Sequence, residues 1–453
     1  MGARSRVERL GTEKIGSLLW SLSSQATFSL LIAAICGVME TYVLSRGINA
    51  LAAAGAAIIA PVLIALGGVT TTLGAGGASV VSRALGAQQD EKAAQTVANT
   101  FVIFWATALI ITSVGSMVIE PLVALLGATD RIAPYAIAYG RIIFLGAITS
   151  TGFSAIIRAD GSAGYATAIW VIPLTVNLVL CWLCVMVWGL GTAGAALATV
   201  AGQVVSASMS IYFFFFRPHR SYQITAAHFK PDWSIIREVV MIGFPSLIRY
   251  GSISLLVIIT NHLLRRIGGD SALVVFAIVN RLSAALITPQ TGIVQGMQPL
   301  VGYNFGQRHV ARVRQTIRLS LTAAVVYGAG IGGICLLVPA VLITLLSHER
   351  AVVAEGQAAL RLLALAYPLT GVSMVTAAAL QAVGRVREAL LLTLGGVILV
   401  RLPVLLLASH LFSLSGIWGA EAVSELILCM VSFGMLKQFG ATRLVTWPAE
   451  QDP

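Results

Sequence analysis

The sequence predicts an all-α polytopic membrane protein: twelve transmembrane helices in two pseudo-symmetric six-helix lobes. Three observations predict it. Of 453 residues, 57% are hydrophobic and only 10% charged, at a mean hydropathy of +0.89, where soluble domains carry roughly 25% charge. The apolar runs are long and continuous rather than alternating, which excludes a β-barrel. The chain also repeats itself at an offset of about half its length. The composition excludes a soluble enzyme, a disordered chain and a secreted disulfide scaffold.

A spanning helix needs about 20 mostly apolar residues. Residues 161–216 contain no Asp, Glu, Lys or Arg, and neither do 47–82, 93–119, 282–307 or 319–348. Charges and Gly/Pro punctuation divide the chain into helices near 15–44, 50–82, 92–118, 132–157, 164–188, 193–216, 235–264, 272–303, 312–338, 354–382, 387–411 and 415–437. The turn Gly189-Leu190-Gly191-Thr192-Ala193-Gly194 splits the longest uncharged run into two helices. The expected parts are a tail over 1–14, a first lobe over 15–216, a connector over 217–234, a second lobe over 235–437 and a tail over 438–453. The start of the chain has no small-residue cleavage site and reads as a cytosolic tail rather than a signal peptide.

Lys and Arg set the orientation. With both termini inside, nineteen fall on the cytosolic side and seven outside, as the positive-inside rule requires. The net charge of +11 is mostly this bias and calls for no nucleic acid. The cluster Arg308–Arg318 could touch anionic lipid heads.

The repeat is read from ordered matches. Gly86-Ala87-Gln88 lies 220 positions before Gly306-Gln307-Arg308, and Arg46, Gln95-Thr96 and Arg141 meet Arg266, Gln315-Thr316 and Arg361 at the same offset. Later the offset drifts: Gly161 pairs with Gly384, and Gly194-Ala195 with Gly419-Ala420. Six helices per half is an even number, so the halves share one orientation. Two such lobes can rock to open a cavity to either side in turn.

Each ionisable side chain inside the bilayer asks for a reason. Glu40 lies near the outer end of the first helix. A buried carboxyl can be neutral near pH 7 and ionise when water reaches it, which suits a proton-coupled step. The bland reading is an interfacial acid paired with Arg46. Glu421 and Glu425 stand four apart on one helix face, with Arg249 and Arg401 as embedded cations they could pair with. The alternative there is a structural ion pair. Tyr135, Tyr139, Gln290, Gln295, Met297 and Gln298 could line a cavity for planar or cationic compounds, or serve as helix packing. The five cysteines lie in apolar runs; Cys181-x-x-Cys184 has no second pair or nearby His to make a metal site. The scattered His argue against a membrane enzyme.

The chain resembles the multidrug and toxic compound extrusion (MATE) transporters over nearly all its length, and most closely their MepA-like bacterial branch. The specific string is Asn280-Arg281-Leu282 followed by Gln295-Gly296-Met297-Gln298-Pro299-Leu300-Val301-Gly302-Tyr303-Asn304-Phe305-Gly306. Ser82-Arg83-Ala84-Leu85-Gly86-Ala87, Arg158-Ala159-Asp160-Gly161 and Gly194-Ala195-Ala196-Leu197-Ala198-Thr199 match as well. The resemblance implies antiport of small amphipathic or cationic compounds across the bacterial inner membrane, driven by H+ or Na+, with no other cofactor and no covalent chemistry. It places Glu40 at the coupling position, with Asn177 and Thr199 hydrogen-bonding it. Cys181 stands where a second acid is common, and that departure favours H+ over Na+. The acids that other branches carry in the second lobe are absent, leaving Arg249, Arg401, Glu421 and Glu425 as candidates there. The expected partners are a small-molecule substrate and the lipid bilayer, with the chain acting as a monomer. The rival readings are a flippase for a lipid-linked substrate and an exporter dedicated to one metabolite.

Overall fold

The structure, a computed structural model, describes residues 3–48, 50–126, 128, 130–147, 152–217, 222–344 and 350–442. His219, Arg220, His348, Arg443 and the C-terminal tail beyond Thr442 lie outside these. The described residues form helices and connectors and contain no strand. The helices are α1 (Ala3–Thr12), α2 (Ile15–Gly47), α3 (Ala50–Gly86), α4 (Asp90–Leu125), α5 (Ala133–Gly146), α6 (Ser154–Ala159), α7 (Ala163–Trp182), α8 (Gly191–Ile211), α9 (Trp233–Gly306), α10 (Val310–Leu337), α11 (Pro339–Thr344), α12 (Arg350–Ala364), α13 (Tyr367–Ala382), α14 (Val386–Leu390) and α15 (Leu402–Thr442).

Nine described helical stretches are long and apolar enough to cross a bilayer, and a bent pair makes a tenth. The pair is Val352–Ala364 with Tyr367–Ala382, meeting at 47°. The sequence leads one to expect a single helix over 354–382, with Pro368 as a place where it can bend. Pro368 sits in the first turn of α13; it offers no N–H and disfavours helical backbone just before it. The stretch Val386–Gln438 runs 53 residues, about 80 Å of helix against a hydrocarbon core of about 30 Å. Ser413, at φ 51°, breaks it into the two spans expected. Gly269, at φ 67°, breaks α9 in the same way. The predicted span 132–157 is described on either side of residues 148–151, as α5 and α6. Among the described residues these breaks give eleven of the expected twelve spans, and the twelfth, 132–157, includes residues outside those described. The tail expected at 1–14 instead contains α1, whose Val7 and Leu10 are buried: they stand three apart on one face.

Many large apolar side chains point outward along the spans, among them Trp20, Met117, Leu125, Leu337 and Leu399. Water would penalise such a surface, whereas lipid tails do not. The molecule is a multi-pass membrane protein.

The internal repeat recurs in the backbone. Gln88 and Arg308, 220 positions apart, both adopt positive φ, at 56° and 61°. In each turn the next amide donates five residues back, Gln89 to the Ala84 carbonyl and His309 to that of Asn304. Gly161 and Gly384 repeat the pattern at φ 75° and 82°.

The chain forms two compact units. Unit 1 comprises Met1–Thr12 and Phe28–Leu247; unit 2 comprises Glu13–Thr27 and Ile248–Pro453. Helices α2 and α9 therefore each begin in one unit and end in the other. Glycines make this possible within each unit. In unit 1, Gly243 of α9 packs on the Thr72 carbonyl and Gly76 of α3 on the Val239 carbonyl, where a Cβ would collide. In unit 2, a Cβ on Gly296 would lie 2.6 Å from the Ser23 nitrogen, and one on Gly292 2.9 Å from that of Thr27. Small residues allow such backbone approach between membrane helices.

Polar contacts fasten the helix ends. In unit 1, Glu238 accepts from Arg83 at 2.9 Å and lies 3.3 Å from Lys92. Asn99 donates to the His228 carbonyl at 3.2 Å and accepts from the Asp232 amide at 2.8 Å, holding the connector. In unit 2, Arg312 donates to Asn304 Oδ1 at 2.9 Å and to the Glu13 carbonyl at 2.7 Å. This arginine of the basic cluster is thus engaged in the fold.

Candidate functional site

In unit 1, four helices converge on Glu40. The local cause begins at Pro173 in α7, whose missing N–H leaves the Ile169 carbonyl without its helical partner. Ser206 of α8 donates to that carbonyl at 3.4 Å. Helix α8 is built from small residues, Gly194, Ala195, Ala196, Ala198 and Gly202. A Cβ on Gly202 would fall 2.8 Å from the Pro173 carbonyl and 3.2 Å from Asn177 Cβ. The absence of a side chain there lets α7 and α8 approach until Asn177 reaches Thr199.

Tyr139 of α5, only 2% exposed, donates its hydroxyl to Glu40 Oε1 of α2 at 3.0 Å. The Thr199 hydroxyl lies beside the same phenol. Asn177 Nδ2 donates to Thr199 Oγ1 at 3.0 Å, and that hydroxyl reaches the Ala195 carbonyl at 3.1 Å. Cys181, one turn after Asn177, is fully buried. The carboxylate, phenol, hydroxyl and amide thus form one polar chain across α2, α5, α8 and α7. Apolar packing by Val43, Leu44, Ile143 and Val185 surrounds it.

The predicted residues Glu40, Asn177, Thr199 and Cys181 are brought together here. The contacts differ from expectation at one point: Tyr139 takes the direct bond to Glu40, and Asn177 bonds Thr199 instead. Tyr139, a cavity candidate by sequence, stands within this polar chain. Arg46 lies over the Tyr42 ring, its guanidinium carbon 5.9 Å from the centroid.

Unit 2 holds a second polar cluster. Arg401 ends a π-helical stretch, Leu391–Arg401, a distortion that recurs at functional sites. It pairs with Glu421 at 3.0 Å and with Glu425 at hydrogen-bonding distance, both on α15. Glu425 is 0% exposed and also accepts from Ser373 of α13 at 2.7 Å. Glu421 keeps 36% of its side chain exposed. Arg249 does not join this group: its recorded partner is the ring of its neighbour Tyr250, 5.5 Å to the centroid. Sequence reasoning missed Ser373, and serine is too ordinary in membrane helices to stand out.

The remaining cavity candidates are mostly packed. Gln290 is buried and donates to the carbonyls of Ala324 at 3.1 Å and Tyr367 at 2.8 Å. Met297 is fully buried. Gln298 meets Gln381 at 3.3 Å, and Gln295 is half-buried. All five cysteines are buried and free. Among the described residues, no group of three or more His, Cys, Asp or Glu could hold a metal ion.

Membrane-spanning helices in two halves, with a buried polar cluster in each unit, are the arrangement of a membrane transporter. Residues 26–183 and 245–407 match the MatE family model, and the chain belongs to that family of multidrug efflux transporters. It is similar to the "Multidrug export protein MepA" of Staphylococcus saprophyticus, 25% identical over 408 residues covering 89% of each chain. It is also similar to the "FAD transporter" of Shewanella oneidensis, 23% identical over 91% of this chain and 92% of that one. Among solved structures, an outward-facing multidrug resistance MATE transporter of the MOP superfamily superposes with TM-score 0.90 at 22% identity, covering 96% of this chain and 98% of the other. A MOP superfamily transporter from Pyrococcus furiosus, described as having a binding pocket of reverse polarity, also gives TM-score 0.90, at 21% identity over 97% and 98%.

Proposed function

We propose that this chain is a proton-driven antiporter of the bacterial inner membrane, with both termini in the cytosol, that exports small amphipathic organic compounds. The observation that carries the reading is Glu40, an acid within a membrane helix, hydrogen-bonded to Tyr139 and backed by Thr199 and Asn177. An intramembrane carboxyl that can exchange a proton as water reaches it is the minimal coupling device. Proton uptake at Glu40 changes which hydrogen bonds α2 can make to α5, and so links ionisation to the position of that helix. Alternating access by the two six-helix lobes converts this into cargo release on the far side. The site offers one carboxylate, which favours H+ over Na+, an ion that wants several oxygen ligands. The chain acts as a monomer and needs no cofactor beyond the ion.

The test is Glu40→Gln in everted vesicles. The reading expects substrate-dependent proton release to disappear. Undiminished release removes Glu40 from the mechanism.

A second reading, a dedicated exporter of one endogenous metabolite, is favoured by the similarity to the Shewanella FAD transporter over nine-tenths of the chain. The MepA relatives favour broad multidrug export, with the cationic cargo expected from sequence. A panel of drugs and native metabolites in proteoliposomes, with pH and Na+ gradients imposed separately, distinguishes the two. The same panel carries a labelled lipid to test the flippase reading.

A further inference from the structure

The charges within the spans of unit 2 do not balance. Arg401 is answered twice, by Glu421 and Glu425. Arg249 and Arg281 are answered by no acid among the described residues. Arg249 lies two residues from the midpoint of the span Trp233–Gly269 and is half-buried beside the Tyr250 ring. Arg281 lies in the span Ser271–Gly306, about 11 Å from its midpoint by helical rise, and is exposed. Asn280, next to it, is exposed too.

A cation at membrane depth faces water, pairs with an acid or snorkels to the headgroups. Arg281, exposed and nearer the end of its span, reaches water or an incoming partner from there. Arg249 does not snorkel, because about 15 Å of hydrocarbon separates the midplane from either interface, farther than an arginine side chain reaches. With no acid beside it among the described residues and only the Tyr250 ring recorded against it, the Arg249 fork of N–H donors is left for water or an incoming partner. Guanidinium groups match carboxylate and phosphate oxygens in pairs. A ring beside the guanidinium suits a cargo with an apolar or aromatic body.

We infer that unit 2 takes its cargo by an oxyanion, a carboxylate or phosphate on an amphipathic molecule, with Arg249 as the principal counter-charge and Arg281 as the second. This deepens the exporter reading and rests on it; it replaces the cation expected from sequence as the cargo's defining charge. The oxyanion belongs either to a dissolved metabolite or to a lipid headgroup.

Binding to the purified protein in detergent tests the inference without any gradient, so a failure of proton coupling in the Glu40→Gln experiment leaves its result intact. The probes are carboxyfluorescein as a soluble aromatic anion, fluorescently labelled phosphatidylglycerol as an anionic lipid, and ethidium as a cation, each followed by fluorescence anisotropy. At least one anionic probe is expected to bind saturably. Arg249→Gln then weakens it about ten- to a hundredfold, the loss of a charged hydrogen bond. Arg249→Lys weakens it less, Arg281→Gln has a smaller effect in the same direction, and none of the three weakens ethidium. Carboxyfluorescein binding assigns the site to a dissolved anion, and lipid binding alone assigns it to a headgroup. Absence of saturable binding by both anions overturns the inference. So does anion binding that survives in the Arg249→Gln, Arg281→Gln and double variants, each checked for monodisperse gel filtration.

Discussion

Replacing Arg401 by leucine removes the only described cation from a site that holds two carboxylates. Glu425 has no exposed surface and keeps one hydrogen bond, from Ser373 at 2.7 Å. Glu421, with 36% of its side chain exposed, can still be solvated. The damage therefore falls on Glu425. Breaking a buried pair by deleting one partner costs about 3–5 kcal/mol, because the other charge stays behind uncompensated. Deleting both partners is different: an apolar pair of similar volume is often neutral or better. Arg401→Leu is thus expected to lose about 3–5 kcal/mol and Arg401→Leu/Glu425→Leu much less, a large coupling in the double-mutant cycle. Glu421→Gln is expected to cost under about 1 kcal/mol, as exposed ion pairs do. The assay is the folded fraction by gel filtration after heating detergent-solubilised protein, with denaturant unfolding to place the variants on one free-energy scale. An Arg401→Leu variant as stable as the parent refutes the reasoning, as does a double variant no more stable than the single one.

Other consequences can be checked with single substitutions. Tyr139→Phe removes the hydroxyl that reaches Glu40 and is expected to slow substrate-driven proton release about tenfold or more, the scale of one hydrogen bond to a charge, while protein yield stays normal. Gly243→Val drives a side chain into the Thr72 carbonyl and is expected to cost about 1–3 kcal/mol; Gly419→Val, with open space around it, should leave the melting temperature unchanged. Asn99→Ala releases two of the bonds that hold the connector, so chymotrypsin should cut after Phe229 several times faster, which a timed digest followed by mass spectrometry reads directly. Gly202→Leu wedges α7 from α8 and should abolish proton coupling in vesicles through loss of the Asn177–Thr199 contact.

Much of this architecture could be read along the chain. Hydrophobic runs, glycines and prolines mark helices and their breaks, because in lipid the backbone must satisfy itself within each span. The breaks at Gly189, Gly269 and Ser413 fall inside predicted turns, and the two-fold repeat predicted from scattered matches returns as paired positive-φ residues. The polar residues of the Glu40 site could also be picked out one by one, since each is costly in a membrane and therefore conspicuous.

Partnership was another matter. Nothing in the linear order says that Tyr139 rather than Asn177 should meet Glu40, that Arg401 should take both glutamates while Arg249 takes neither, or that Glu13–Thr27 should pack with the second half of the chain. These depend on how far each helix is rotated about its axis and which neighbour lies against it. Rotation and neighbour choice are settled by close packing between different helices, at places such as Gly202 on Pro173 and, between segments far apart in the chain, Gly296 on Ser23. Helix formation is decided within a few turns by the solvent, whereas the meeting of side chains is decided only when all the helices have packed.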